Sequence, residues 1–196
     1  YKRGKVLDAE ALEDIERFGR YLDVDGDGIA YRTYPGTHPT KGSYFTRGTS
    51  RDEYAVYTEN GDVYEKNMDR LIKKWNTAKD YVPAPDLYQD SNTSKYGVLF
   101  FGTSQYSTQE AIDILKADGV NLDAIRIKSF PFNKTVEDFI HSHDKVFVVE
   151  QNRDAQMKSL LMIELAANPQ KLVSVLNYNG LPITADYIVK SIQAAI

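Results

Sequence analysis

Gly97-Val-Leu-Phe-Phe101 is an unbroken run of strand length that ends in the small polar turn Gly102-Thr-Ser104. Ala124-Ile-Arg-Ile127, Val146-Phe-Val-Val149 and Leu172-Val-Ser-Val-Leu176 repeat the pattern about one crossover apart, each rich in β-branched or aromatic residues. Helical periodicity fills the gaps. Ser107-Thr-Gln-Glu110 has capping-box spacing, Ala111, Ile114 and Leu115 then share a face, and Gly119 is placed to stop that helix. Thr135-Val-Glu-Asp138 starts a shorter helix. Asn152 or Asp154 is positioned to cap an apolar one through Met157, Leu160, Leu161 and Leu165. Pro182 and Thr184 introduce the last, with Tyr187, Ile188 and Ile192 expected inward. The order β-α-β-α-β-α-β-α wraps by right-handed crossovers into an α/β domain, a parallel sheet with helices on both faces.

Working outward, the 196 residues have room for one domain plus an extension, or for two small domains. Nine of the 14 tyrosines fall in residues 1–81, a stretch rich in turn residues and poor in apolar runs. Val82-Pro-Ala-Pro85 and Gln89-Asp-Ser-Asn-Thr-Ser94 read as a linker, because prolines stop a helix and a polar run buries nothing. The expected division is therefore 1–81, a mixed helical and irregular arm; 82–94, a linker; and 95–196, the α/β domain. Within the arm, residues 9–21 read as a helix with Leu12, Ile15 and Phe18 inward. Residues 62–81 read as another, striped by Tyr64, Met68, Leu71, Ile72 and Trp75. The tyrosine-rich segment 33–57 between them is expected to pack on another domain or chain, with Arg47 and Arg51 free for charge-assisted hydrogen bonds there.

Composition narrows the function. Hydrophobic residues make up 42% and charged residues 27%, and no stretch approaches the ~20 apolar residues of a spanning helix, so a membrane span is not expected. A formal net charge of -4 without a lysine and arginine cluster argues against nucleic acid. Zero cysteines exclude thiolate zinc sites, cysteine nucleophiles and any iron–sulfur cluster held by this chain alone, and fit a cytoplasmic location. Tyr1-Lys-Arg-Gly-Lys5 is neither an initiator nor a signal segment, which suggests a piece of something longer.

The most specific chemical signal is Asp23-Val-Asp25-Gly-Asp27-Gly28, which matches positions 1, 3, 5 and 6 of a calcium loop. Asp23, Asp25 and Asp27 are thus candidate ligands for calcium or magnesium. Position 12 is Tyr34 instead of Glu, so carbonyls or waters would have to complete the shell. A calcium-dependent binding module is accordingly one functional reading. Gly36-Thr-His-Pro-Thr-Lys41-Gly42-Ser43 has lysine before the second glycine, the wrong order for a phosphate loop, and reads as a surface turn. His141 and His143 lie at a helix C-terminus, where imidazolium favours the dipole more simply than it forms a metal pair. Ligands collect outside the carboxyl ends of strands in open α/β sheets, and there Glu150, Gln151, Asn152 and Arg153 form a candidate ligand or interface edge, with helix capping the competing account. No nucleophile, base and orienter come together, so no catalytic residue is assigned.

Asp23-Val-Asp-Gly-Asp-Gly-Ile29, Pro35-Gly-Thr-His-Pro39, Phe45-Thr-Arg-Gly-Thr-Ser-Arg-Asp-Glu-Tyr54, Phe130-Pro-Phe132 and Val148-Val-Glu-Gln-Asn-Arg-Asp-Ala-Gln-Met157 as a set resemble the C-terminal part of the alpha subunit of 2-oxoacid:ferredoxin oxidoreductases, closest to the 2-oxoglutarate type. The resemblance implies a thiamine-diphosphate enzyme that decarboxylates a 2-oxoacid, forms an acyl-CoA from coenzyme A and passes electrons through an iron–sulfur cluster to ferredoxin. It implies a transketolase C-terminal-like domain at 95–196 and, at 1–81, the tail of a pyrimidine-binding domain plus a connecting arm. The family's Tyr-Pro-Ile-Thr-Pro signature is absent here, and its diphosphate motif and cluster cysteines belong to the beta subunit. The implied role is a scaffold, inactive alone and binding neither thiamine diphosphate, its Mg ion nor the cluster by itself.

Overall fold

The structure, a computed structural model, describes residues 3–48, 50–89 and 94–196. It divides into two compact units, Tyr1–Tyr81 and Val82–Ile196.

In the first unit α1 is Ala9–Glu13, capped by the Asp8 side chain, which accepts from Ala11 N. The helix expected over residues 9–21 is therefore only five residues long. Tertiary contacts divert the rest: Tyr21 N donates to Glu53 O at 2.9 Å, Arg17 lies 4.0 Å over the Tyr54 ring, and Phe18 meets Tyr44. Helix α2 spans Gly61–Ala78, its first amides donating to the Asn60 side chain. It is amphipathic as expected, yet within this unit it buries no residue, and Ile72 is 61% exposed. Leu12 and Ala55 are the buried apolar side chains among the unit's described residues. Part of the Arg51 guanidinium is used within the unit, donating to Gly48 O at 2.7 Å and to the Tyr21 hydroxyl.

The second unit begins with β1, Asp86–Tyr88, inside the stretch read as a linker. Three residues between Pro85 and a polar run give too short a pattern to register, and proline is tolerated beside an edge strand. Residues 90–93 lie outside the described residues. Then follow β2 (Tyr96–Phe101), a 3-10 turn (Gly102–Ser104), α3 (Gln105–Ala117), β3 (Asp123–Ile127), α4 (Lys134–Ser142), β4 (Lys145–Glu150), α5 (Gln156–Leu165), β5 (Leu172–Leu176) and α6 (Ala185–Gln193). The sheet order is β1-β3-β2-β4-β5, with β1 antiparallel and the remaining pairs parallel.

Strand alternation builds both cores. Val98, Phe100, Phe147 and Val149 point to one face, where Leu115, Ile188 and Ile192 of α3 and α6 cover them. Leu99, Ile125, Val146 and Val148 point to the other, under Phe139 and Ile140 of α4 and Leu161 of α5. Each large side chain so buried contributes about 2–3 kcal/mol. Two local expectations change. Helix α3 starts at Gln105, and the Ser107 hydroxyl donates to Ile183 O at 2.7 Å instead of capping. Tyr187 is 41% exposed, because its hydroxyl reaches out to Leu176 O.

A buried polar pair closes the amino ends of the strands. His143 Nδ1 donates to Phe139 O at 2.6 Å, and Nε2 faces Asp123 Oδ2 at 3.1 Å, with both side chains at most 2% exposed. The same carboxylate oxygen accepts from Ser94 N. Gly97 lies beneath; a Cβ there would sit 2.8 Å from the Phe139 ring. His143 is thereby a core residue and no metal partner of His141. Asp123→Ala strands the imidazole and the Ser94 amide, and should cost about 3–5 kcal/mol in urea unfolding followed by circular dichroism. A loss under about 1 kcal/mol would mean the pair is dispensable.

Candidate functional site

Strand β2 is flanked by β3 on one side and β4 on the other, so successive crossovers leave it in opposite directions. Ligands collect at such a switch point, outside the carboxyl ends of the strands. A cleft of about 580 Å³ opens there between Gly102, Thr103 and Ser104 after β2 and Gln151 and Asn152 after β4, with Met157 of α5 as an apolar wall. A second, of about 560 Å³, continues from Thr103 and Gln151 toward Asn177 and Tyr178 after β5. No ionisable group except the Tyr178 phenol lines either cleft, so they offer hydrogen bonds and apolar surface and no carboxylate or imidazole for proton transfer.

The four residues of the expected edge have separate jobs. Glu150 is fully buried, and its carboxylate accepts from Asn152 Nδ2 (2.8 Å), Met157 N (2.7 Å) and Lys158 N (3.0 Å). It caps α5, whose own N-cap residue, Ala155, has no side chain able to accept. Asn152 Oδ1 completes the cap by accepting from Asp154 N and Gln156 N. Gln151 is a crossbar: its Nε2 donates to Thr103 Oγ1 at 2.9 Å and its Oε1 accepts from Ile183 N at 3.2 Å. Arg153 is exposed and paired with its neighbour Asp154.

The acidic loop is organised around an ammonium. Lys5 Nζ lies 2.6 Å from Asp25 Oδ2 and 2.8 Å from both Asp27 oxygens, while Asp23 turns away, 3.9 Å from Lys73. Of the three expected ligands, two converge, and the structure places a side-chain cation between them. Among the described residues no three acidic, imidazole or thiol side chains are arranged to hold a metal ion. Hydrogen bonds from Lys5 hold the Asp25 and Asp27 carboxyls below the usual range, helped at Asp25 by the Tyr31 hydroxyl and at Asp27 by Ile29 N. Burial alone would lower the Lys5 ammonium, but its bonds to Asp25 and Asp27 outweigh this and raise it. Depressed carboxylates stabilise above their unfolded value of about 4, and that contribution is lost as pH falls through their lowered values. A raised ammonium stabilises below about 10.4 and fails only above it, so the cluster spans the neutral range.

The loop 36–43 is no phosphate cradle. The amides of Thr40 and Lys41 donate to His38 Nδ1, at 3.1 and 2.8 Å, and His38 Nε2 is 2.8 Å from Glu13 Oε1. A nitrogen accepting two N–H groups carries no proton, so Nε2 bears the hydrogen and donates to Glu13. That bond, foremost, holds the Glu13 carboxyl below its ordinary value.

Compared with known proteins, the chain matches no family model. It is 28% identical over 186 residues to 2-oxoacid:ferredoxin oxidoreductase 2, subunit alpha, of Aeropyrum pernix, covering 92% of this chain and 27% of that protein. It is 24% identical over 200 residues to the 2-oxoacid:ferredoxin oxidoreductase subunit alpha of Saccharolobus solfataricus, covering 100% of this chain and 30% of that one. The chain is a relative of these oxidoreductase alpha subunits. It spans somewhat under a third of their length. A solved 2-oxoglutarate:ferredoxin oxidoreductase from Magnetococcus marinus, with 2-oxoglutarate, coenzyme A and succinyl-CoA bound, shares the fold at a TM-score of 0.78 and 22% identity, over 90% of this chain and 30% of that one.

In this relative of the alpha subunits, the residues that sequence reasoning missed are partners of residues it found. Lys5 pairs with Asp25 and Asp27, and Glu13 with His38, across 19 or more intervening positions that carry no periodic signal. For Glu150 the geometry sets a test. In Glu150→Gln an amide donor replaces one carboxylate oxygen and faces a backbone N–H, which should cost about 1–3 kcal/mol and speed amide exchange at Met157 and Lys158. Unchanged exchange there would mean that α5 does not depend on the carboxylate.

Proposed function

We propose that this chain is the C-terminal part of the alpha subunit of a 2-oxoacid:ferredoxin oxidoreductase acting on 2-oxoglutarate, in the cytoplasm. The observation that carries this reading is the likeness to two 2-oxoacid:ferredoxin oxidoreductase alpha subunits along nearly the whole chain, through both of its units. The reaction is oxidative decarboxylation of the oxoacid to acyl-CoA, with electrons passed to ferredoxin. Residues 95–196 serve as the transketolase C-terminal-like domain, and residues 1–81 as the tail of the pyrimidine-binding domain with its connecting arm.

Within that assembly the chain is a scaffold. It has no cysteine to ligate an iron–sulfur cluster, and its strand-end clefts carry no carboxylate to hold a magnesium diphosphate. Its residues therefore do not fit the cluster or thiamine diphosphate, which belong to the beta subunit and the earlier part of the alpha subunit. What the chain supplies is shaped surface. An 18-residue helix with Tyr64, Leu71, Ile72 and Trp75 on display, in a unit with two buried apolar side chains among its described residues, supports docking onto the remainder of the enzyme.

Two measurements test this. The isolated chain given thiamine diphosphate, coenzyme A, 2-oxoglutarate and an electron acceptor should reduce nothing, whereas the complex of a full-length alpha subunit containing this chain with the beta subunit should turn over 2-oxoglutarate at least about tenfold better than pyruvate in kcat/KM, a difference of about 1.4 kcal/mol. Turnover by the chain alone would sink the scaffold reading, and a preference for pyruvate would overturn the substrate assignment. Hydrogen exchange over residues 33–57 and in α2 should be slower in the complex than in the isolated chain. Equal protection would mean that the arm is ordered by its own fold.

A further inference from the structure

Part of the calcium-loop pattern in the acidic loop converges in three dimensions, around a side chain. Counting Asp23 as position 1, a calcium loop takes ligands from side chains at positions 3 and 5 and from the backbone carbonyl at position 7, turning at glycine 6. These positions are Asp25, Asp27, Ile29 and Gly28. Lys5 Nζ contacts Asp25 Oδ2 at 2.6 Å, both oxygens of Asp27 at 2.8 Å and the Ile29 carbonyl at 3.1 Å. Gly28 turns with φ +82°, and the Tyr31 ring lies 5.2 Å beneath the ammonium. We infer that Lys5 is the resident cation of this loop, a covalently delivered ammonium seated where a divalent ion would sit, so that the loop folds without metal and latches residues 5–7 onto it.

The surroundings agree. Backbone bonds hold the lysine in place: Arg32 N donates to Lys5 O and Leu7 N to Arg32 O, both at 2.9 Å. Asp23, the ligand a true ion would need at position 1, is directed instead to α2 and Lys73. An ammonium has three protons to donate and takes fewer ligands than the six to eight of calcium, which accounts for a loop that lacks a carboxylate at position 12. The latch also faces α2, where the Thr77 hydroxyl donates to Asp27 O at 2.6 Å and Arg70 to Gly28 O at 3.0 Å, so it sets the path of residues 23–29 along that helix.

The test is a terbium titration of the full chain, read by luminescence sensitised through Tyr31, with calcium as competitor. The wild type should show no saturable signal that Asp25→Asn removes. Lys5→Met, which keeps the stem and deletes the charge, should gain one site per chain with a Kd of about 0.1–1 mM, lost again in the double variant with Asp25→Asn. Saturable wild-type binding that depends on Asp25 would overturn the inference, as would a folded Lys5→Met chain that gains none. A second reading needs no variant. The Lys5 ammonium resonance in nitrogen-15 spectra should exchange slowly and stay in place when calcium is added. Exchange as fast as that of a solvated lysine, or displacement by calcium, would refute the latch even if Lys5→Met failed to fold.

Discussion

A sheet covered on both faces leaves its strands no polar side, and the arrangement of the second unit follows from that constraint. Every residue of β2 and β4 between their ends is apolar apart from Gly97. In these two central strands polar side chains are confined to the termini, and both ends of the sheet are put to use. At the amino ends Asp123 and His143 satisfy each other with help from two backbone groups. At the carboxyl ends Glu150, the last residue of β4, is drawn under α5 and held by two of its first amides. The carboxylate thus fixes where α5 begins, and α5 forms a wall of the switch-point cleft. A group that reads in sequence as a ligand at the binding edge is used to build the edge.

The first unit works under the opposite constraint. With Leu12 and Ala55 as the buried apolar side chains among its described residues, it is tied instead by cations meeting oxygens and ring faces. Arg17 stacks on Tyr54, and Arg20, Arg51 and Arg70 surround the Tyr21 ring at 5.4 to 5.9 Å. Exposed cation–π contacts contribute about 0.5–1 kcal/mol each, less than a fully buried leucine. Such contacts specify a shape more readily than they stabilise one.

These two regimes also explain what was legible in the sequence. The α/β order, all four parallel strands and most of the apolar faces of α3 to α6, with Ile114 and Tyr187 the exceptions, could be read because period-2 and period-3.6 burial is local. Strand β1 could not, since three residues show no period and its identity lies in pairing Leu87 with Ile125. The helix expected through Phe18 ends at Glu13 because a backbone bond from Tyr21 to Glu53 outcompetes propensity. At the candidate sites the acidic residues were visible and their partners were not. Aspartates at alternate positions announce a cation, but which cation depends on a lysine 20 residues earlier. Glu150 was visible as part of an edge, while its burial depends on where α5 starts.

The sheet edges decide how such a domain can associate. Along β5 the residues that bond to β4 are the odd ones, as Val146 N to Lys171 O and Asn177 N to Glu150 O show, so Leu172, Ser174 and Leu176 direct their backbone groups outward. The Lys158 ammonium donates to Leu172 O at 2.7 Å and the Tyr187 hydroxyl to Leu176 O at 2.6 Å, closing both ends of that row. Lys158 is the residue whose backbone amide also donates to Glu150, so one residue ties α5 to two strands. At the far edge β1 is three residues long, and Asp86 is tied to Arg126 and Lys128. Short strands and charged or capped edges resist pairing with another sheet. What the edges withhold the strand ends offer: exposed apolar surface stands beside the clefts there, with Tyr178 and Leu181 65% and 68% exposed.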